Sequence, residues 1–479
     1  MGKGTTLTIE VSPQAREPVF LALARTIVQE IERGRLKPGD PLPGTRALSR
    51  SLKLNRNTVD AAYHELAMQG WLVTEPSRGT FVATDLPDMA LHRLPTRPVP
   101  PASNPALTPE RSLLRLSDGS PDVRLVPTTA FAQAFRRALA STAFTSGGGY
   151  GDPRGNGKLR DALSSYLRDE RGLTAAASEI LVTRGSQMAL FLAASTVADP
   201  GSLIAVERPG YPLAWSAFRA AGADVVGVPV DAGGIDVEAL EQIARANGRL
   251  RAVYVTPHHQ YPTTVTMGVA RRLRLLEVAR RYGLVVIEDD YDNEYRFDGR
   301  PILPLAARAD SDLPIIYIGS LSKLLAPGIR LGYAVASPQI LTQMADRREA
   351  LDRQGDLPLE YALADLIEEG TIKRHARKAR RVYHARRDLM AELLRERLSD
   401  HVEFALPAGG LAIWLRIADG LSAETWAANA AKLGLSVMPG IQFDLETVKP
   451  AEAFRLGFAS LDDKELTRAI DLFTRAMPR

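Results

Sequence analysis

Five short apolar runs constrain the fold of this chain more than any other feature. They are "EILVT" at 179–183, "LIAVE" at 203–207, "AVYVT" at 252–256, "LVVIE" at 284–288 and "IIYIG" at 315–319. Their apolar residues are consecutive rather than alternating, so strands built from them must be covered on both faces. Between them lie amphipathic stretches such as "GVARRLRLLEVARRYG" (268–283), with apolar residues at helical spacing. Strands alternating with helices predict an α/β fold with a mostly parallel sheet between helical layers. From about residue 340 the pattern changes. "GGLAIWLRI" (409–417) and "AFRLGFAS" (453–460), set among helices, imply a smaller α+β lobe. A chain of 479 residues is too long for one core and suggests two to four domains.

The first 84 residues follow a different pattern. "PVFLALARTIVQEIERGRL" carries Phe20, Leu23, Ile27 and Ile31 at helical spacing, and "KPGDPLPG" stops it. A second helix, "TRALSRSL", is expected with Thr45 as its N-cap. A third, "RNTVDAAYHELAMQG", runs toward Gly70 at its C-terminal end. "WLVTE" and "GTFVAT" then read as two strands around "PSRG". Short helix, tight turn, helix and β-wing is the layout of a winged helix-turn-helix. Residues 85–115, which include "LPTRPVPPASNPALTPE", read as an extended linker, and 116–479 as the α/β domain.

Composition excludes several function classes. The chain has no cysteine, which rules out disulfides, thiolate metal sites and cysteine nucleophiles. With no apolar run of bilayer length and no apolar leader segment, a cytoplasmic location is expected. A net charge of +4 names no partner.

In α/β sheets ligands gather at the carboxyl ends of strands, so the residues after each run are the candidates for function. After the first, "RGSQMAL" offers the backbone N–H groups of Gly185, Ser186 and Gln187 and the Ser186 hydroxyl to a phosphate. The same residues would also make a plain helix-opening turn. After the second, "RPGYP" swings Tyr211 over the strand ends, as a stacking ring or as a core side chain. After the fourth, "EDDYDNEY" puts Asp289 and Tyr291 on one face if the strand persists that far. That pair suits a heterocycle with a protonated ring nitrogen and a ring oxygen; a hydrated acidic loop or a divalent-ion site is the alternative. After the fifth, "SLSKLLAPGIR" supplies Lys323, Ser320, Ser322 and Arg330: one amine, two hydroxyls and a guanidinium for a phosphate dianion. One ligand satisfies all four loops, a planar pyridine bearing an aldehyde, a hydroxyl and a phosphate, namely pyridoxal 5'-phosphate. In the N-terminal unit the third helix presents Asn55, Arg56, Asn57 and Thr58 at the end that enters a major groove. There arginine suits guanine, asparagine suits adenine, and threonine with the backbone serves phosphates.

The stretches "RGSQMAL", "ERPGYP", "IEDDYDNEYRFDG", "GSLSKLLAPGIRLGY" and "FRLGFA" resemble, in that order, fold-type I aminotransferases. With "LPGTRALSRSLKLNRNTVDAAYHELAMQGWL" ahead of them, the chain resembles MocR/GabR-type regulators of the GntR superfamily. The resemblance implies that Lys323 carries the cofactor as a Schiff base, Asp289 pairs with the pyridine nitrogen, Tyr291 bonds the ring hydroxyl and Tyr211 stacks on the ring. It gives Ser186, Ser320 and Arg330 to the phosphate and Arg455 to the carboxylate of an amino acid, where the bland reading is an exposed strand charge. It adds Arg46, Arg78 and Gly79 to the DNA contacts. Where the enzymes carry Asn-Pro-Thr-Gly this chain has "PHHQYPTT", leaving Gln260 or His259 to replace the asparagine. His258 and His259, being adjacent, point apart and are not read as metal ligands. The implied function is a transcriptional regulator, a head-to-tail homodimer, that senses an amino compound or the cofactor by aldimine formation. The alternative is a working aminotransferase with a DNA-binding module.

Overall fold

The computed structural model describes residues 17–86, 114–116, 119–145, 149–299, 302–308, 312–445 and 452–478. The chain divides into two compact units, Met1–Thr108 and Pro109–Arg479. The linker expected over 85–115 lies almost wholly outside the described residues.

In the first unit, helices α1 (Val19–Glu32), α2 (Thr45–Leu52) and α3 (Arg56–Met68) precede an antiparallel hairpin of β1 (Leu72–Glu75) and β2 (Gly79–Val82). The spaced apolar residues of α1 do what their spacing demands. Leu23, Ile27 and Ile31 are buried against Leu48, Val59, Leu66, Trp71 and Val82. Thr45 is the first helical residue of α2 rather than its cap; that position belongs to Gly44, and no side chain caps the helix. Asn55 caps α3 by accepting from the Asn57 N–H at 3.0 Å. Past the other end, Gly70 has φ +79°, and the Trp71 N–H reaches back to the Leu66 carbonyl at 2.9 Å. Glycine takes that left-handed turn without strain.

The second unit is built on an eight-stranded sheet. Its strands are β3 (Ile180–Thr183), β4 (Leu203–Arg208), β5 (Asp224–Asp231), β6 (Gly234–Ile235), β7 (Leu250–Val255), β8 (Val285–Asp290), β9 (Ile315–Ser320) and β10 (Gly332–Val335). Their order is β3-β10-β9-β8-β7-β4-β5-β6. β9, β8, β7, β4 and β5 are parallel neighbours, whereas β10 is antiparallel to both β9 and β3, and β6 closes a hairpin with β5. All five apolar runs are strands here, and successive residues feed opposite faces. Val206, Tyr254, Ile287 and Ile318 pack with Leu190 and Ala193 of α4 (Gly185–Val197). Ala205, Val253, Val286 and Ile315 pack with Leu275 and Val278 of α5 (Val269–Tyr282). That two-sided burial is why the runs are continuous in sequence.

The small lobe is a four-stranded antiparallel sheet, order β11-β12-β14-β13, from β11 (Val402–Glu403), β12 (Ala412–Ile417), β13 (Met438–Pro439) and β14 (Ala453–Gly457). A 28-residue helix, α6 (Thr371–Leu398), precedes it and buries Ile372, Tyr383, Met390 and Leu394. Among the described residues no helix is long and apolar enough to cross a membrane.

Candidate functional site

The chain leaves β9 at Ser320, turns, and returns antiparallel as β10 from Gly332. This return explains why Lys323 and Arg330 lie seven residues apart: both sit on the connection at the carboxyl end of the sheet. A cavity of 260 Å³ opens there. Lys323, Ser320, Ser322 and Arg330 line it from the β9–β10 connection, Asp289 and Tyr291 from the end of β8, and Ser186 from the start of α4. Tyr211 lines it from the turn after β4. Seven residues named from sequence as cofactor ligands, together with Tyr211, thus share one cavity.

The anion end is shaped by missing side chains. Gly185 has φ +74°, and a Cβ there would lie 3.0 Å from the Arg330 guanidinium carbon. A Cβ on Gly332 would lie 2.7 Å from the Gly185 carbonyl carbon and 2.8 Å from the Ser186 nitrogen. Two glycines therefore let the start of α4, the return strand and Arg330 close on one another. The first N–H groups of α4 have no partner inside the helix, so the cradle favours a phosphate. Arg330 adopts φ +50° and its Nη2 donates to the Arg184 carbonyl at 3.2 Å. Gln187 is not part of the lining; its amide donates to the Leu213 carbonyl at 2.6 Å.

The other end is carboxylate chemistry under burial. Asp289 is 3% exposed; its Oδ2 accepts from the Tyr254 hydroxyl at 2.9 Å, and its Oδ1 has no partner. Burial pushes its carboxyl up to about 7, against the pull of the Tyr254 hydrogen bond and of Lys323, with Asp290 and Asp292 adding to the rise. For the adjacent Asp290 burial also acts upward, but His258 and Arg171 outweigh it and hold that carboxyl below its usual range. Ser322 Oγ is a second buried atom without a partner. Buried polar atoms are seldom left unpaired, so Asp289 Oδ1 and Ser322 Oγ mark where a bound group completes the site. An acceptor at one end, an anion cradle at the other and an amine between them fit a phosphorylated pyridine aldehyde. Lys323 Nζ donates to the Gly119 carbonyl at 3.2 Å, and Tyr291 Oη to the His259 carbonyl at 2.8 Å.

Two expectations need correction, and the bland reading of a third residue, Arg455, falls. Gln260 is buried off the cavity: its amide donates to Pro209 and Tyr261 carbonyls, and its oxygen accepts from Thr263, so nothing is left for a ring hydroxyl. His259 is tied by Nδ1 to Asp292 at 2.7 Å, and it too is absent from the lining. Its neighbour His258 faces Asp290 at 3.5 Å, so the two rings serve different carboxylates. Arg455, at the middle of β14, is not an exposed strand charge. It is 1% exposed, donates to the Pro262 carbonyl at 2.7 Å and lies 4.4 Å over the Tyr261 ring. A Cβ on Gly119 would be 3.5 Å from its Nη2, so Arg455 lies beside the residue that holds Lys323.

The lining also holds Ser120, Tyr254, Thr256 and Tyr261, which the sequence reading passed over. Tyr254 left one signal, a lone hydroxyl-bearing ring inside the apolar run "AVYVT".

In the N-terminal unit, Asn55, Arg56 and Asn57 are exposed and Thr58 is half-buried at the start of α3, with Arg46 exposed on α2. The Asn55 side chain is committed to its cap, and Arg56 lies 3.6 Å from Asp60. Arg78 is exposed at the hairpin tip, paired with Glu75 at 2.5 Å, and Gly79 beside it has φ +120°.

Comparison with known proteins matches residues 111–473 to the aminotransferase class I and II family and residues 21–82 to bacterial regulatory proteins of the gntR family. The probable rhizopine catabolism regulatory protein MocR of Rhizobium meliloti is 31% identical, over 95% of this chain and 92% of that protein. The HTH-type pyridoxine biosynthesis transcriptional regulator PdxR of Corynebacterium glutamicum is 32% identical, over 81% of each chain. Among solved structures, the α-aminoadipate aminotransferase LysN of Thermus thermophilus, complexed with N-(5'-phosphopyridoxyl)-L-leucine, is 29% identical. It superposes with a TM-score of 0.70 over 76% of this chain and 92% of that one.

Proposed function

The chain belongs to the MocR-like regulators, in which a gntR-type helix-turn-helix unit precedes an aminotransferase class I and II domain, and on that premise we propose a ligand-sensing, pyridoxal 5'-phosphate-dependent transcriptional regulator. The observation that carries the ligand half is the cavity that joins Lys323, the unpartnered Asp289 Oδ1 and the Arg330–Ser186–Ser320 cradle.

Pyridoxal 5'-phosphate, when bound, supplies an electron-withdrawing ring and an aldehyde carbon to which amines add. Lys323 provides the resident amine. Asp289 would accept the pyridine N–H at Oδ1, and the positive charge there would offset the burial that raises the Asp289 carboxyl. Tyr254 fixes the Asp289 carboxylate in place from the far side. Tyr211 would flank the ring, Tyr291 would serve the ring hydroxyl, and Gly185, Ser186, Ser320, Ser322 and Arg330 would hold the phosphate. Arg455 takes the carboxylate of an incoming amino compound. Its guanidinium is already oriented by the Pro262 carbonyl and the Tyr261 ring, so little ordering is needed on binding.

The first 84 residues form the DNA reader in this proposal. Arg56, Asn57 and Thr58 enter the major groove while Arg46, Arg78 and Gly79 contact the backbone or the minor groove. Residues 85–115 act as the tether to 116–479. The regulator works as a head-to-tail homodimer, with two half-sites in its operator. Ligand exchange at Lys323 changes operator affinity through differential binding to two arrangements of that dimer. The effector is an amino acid, an amino sulfonate or the cofactor itself; the pyridoxine biosynthesis regulator among the relatives supports the last.

The test is visible absorbance of the purified chain with pyridoxal 5'-phosphate, repeated with Lys323→Ala, as candidate amines are added. A Lys323-dependent band that one amine shifts without keto-acid accumulating supports the sensor. Sustained keto-acid production supports the aminotransferase alternative, and no band in the wild type overturns the cofactor assignment.

A further inference from the structure

A second and larger cavity, 640 Å³, shares no lining residue with the first. One wall is a single face of α6, where Lys373, Arg377, Arg380, Arg381 and His384 recur at helical spacing. Arg296, from the loop after β8, lines it as well.

The acidic groups in this wall are already taken. Glu170 pairs with Lys373, Glu294 with Arg171, and Asp169 with Arg168 at 3.1 Å. The arginines of α6 are not: Arg377, Arg380 and Arg381 have no acidic partner among the described residues. Exposed arginines on a helix are often no more than solvated, and those three alone would mean little. Arg296 supplies the independent observation. Its Nε and Nη1 are buried with no acceptor, a costly arrangement for a cation. Three guanidiniums without an acidic partner, and a fourth whose nearby charge is Asp298 but whose Nε and Nη1 have no acceptor, therefore line one cavity.

We propose that this cavity is a second ligand site, for a small anion carrying two or more charges, a phosphorylated compound being the class that best matches several converging guanidiniums. Arg296 is half-buried with its Nε and Nη1 out of solvent, which favours a small molecule over a nucleic-acid backbone, since the backbone could meet the exposed arginines of α6 but not those two nitrogens. The site also lies against the cofactor cavity. His258 and His259 line it, and they hold Asp290 and Asp292, the neighbours of the carboxylate that faces the cofactor.

Pyrophosphate is the probe, titrated calorimetrically into the full-length protein. Arg377→Glu with Arg381→Glu changes only exposed side chains and leaves the core intact; Arg330→Gln disables the phosphate cradle of the first cavity instead. The proposal expects the double variant to weaken pyrophosphate by about tenfold or more, the worth of one charge-assisted hydrogen bond, and Arg330→Gln to leave it unchanged. Arg296→Gln, if its thermal midpoint matches the wild type, should weaken binding as well. Absence of binding, or binding lost only in Arg330→Gln, overturns the proposal. It is also overturned if the double variant loses affinity for non-specific duplex DNA while binding pyrophosphate as before.

Discussion

A carboxyl oxygen buried without a donor, as Asp289 Oδ1 is, leaves a mark on stability against pH. Burial raises the folded carboxyl to about 7, against about 4 for an unfolded one. Between those values the folded chain keeps a proton that the unfolded chain has released, so stability falls as pH rises through the window. Urea midpoints of the cofactor-free protein should therefore decline from pH 4 to pH 7, and Asp289→Asn should flatten part of that decline. Glu207 and Glu288, also raised to about 7 by burial, keep some of the slope in the variant. A slope of the same size in both proteins would show that Asp289 is not strained. Residues of this kind were legible because each follows a strand whose end was plain in the sequence. Gln260 was misread for the converse reason: a free amide in "PHHQYPTT" looks available until the fold wraps Glu207, Pro209 and Thr263 around it. Arg455 took its role from the resemblance; no pattern in "FRLGFA" says that Tyr261 and Pro262 cover it.

At the scale of elements, the turn from β9 into β10 and the start of α4 act as one device. Gly332→Ala would drive its methyl into the Gly185 backbone, at a cost of about 1–3 kcal/mol from overpacking. Gly328→Ala, in the same connection, meets nothing within 4 Å. Cofactor titration of the two variants should show weakened binding for the first and wild-type binding for the second; equal affinities would mean the cradle is not set by this contact. In the reader unit, Asn55→Ala removes the α3 cap and should lower stability by about 1 kcal/mol, seen in the thermal midpoint of the N-terminal transition. Arg56→Ala should instead leave stability alone and cost about 1–3 kcal/mol in discrimination at one base pair of the operator. The five buried strands announced themselves because two-sided burial writes continuous apolar runs. β5 and β10 did not. β5 is only partly buried and carries Gly227 and Pro229 within "DVVGVPVD", and β10 is four residues long behind a Pro-Gly turn. The antiparallel return that places Arg330 beside Gly185 was for that reason invisible before the structure.

At the scale of the whole molecule, the proposal joins two chemistries on one chain: base reading in the first unit and amine exchange in the second. Sedimentation of the full-length protein should give a dimer, and its affinity for DNA should depend on both half-sites, so that deleting one half-site weakens binding more than shifting the flanking sequence does. Sequence order fixed the succession of the units because each carries its own periodicity. The tether between them carries none, and no local pattern encodes how a ligand in one is felt by the other. The most direct measurement is therefore a binding isotherm of the protein on DNA from its own upstream region, by fluorescence anisotropy. It is taken with and without pyridoxal 5'-phosphate and the amine that shifts the visible band, for the wild type and for Lys323→Ala. The account predicts that these ligands move the wild-type isotherm and leave that of Lys323→Ala in place. Isotherms that coincide for the wild type under every ligand condition, or that move equally in the variant, would contradict it.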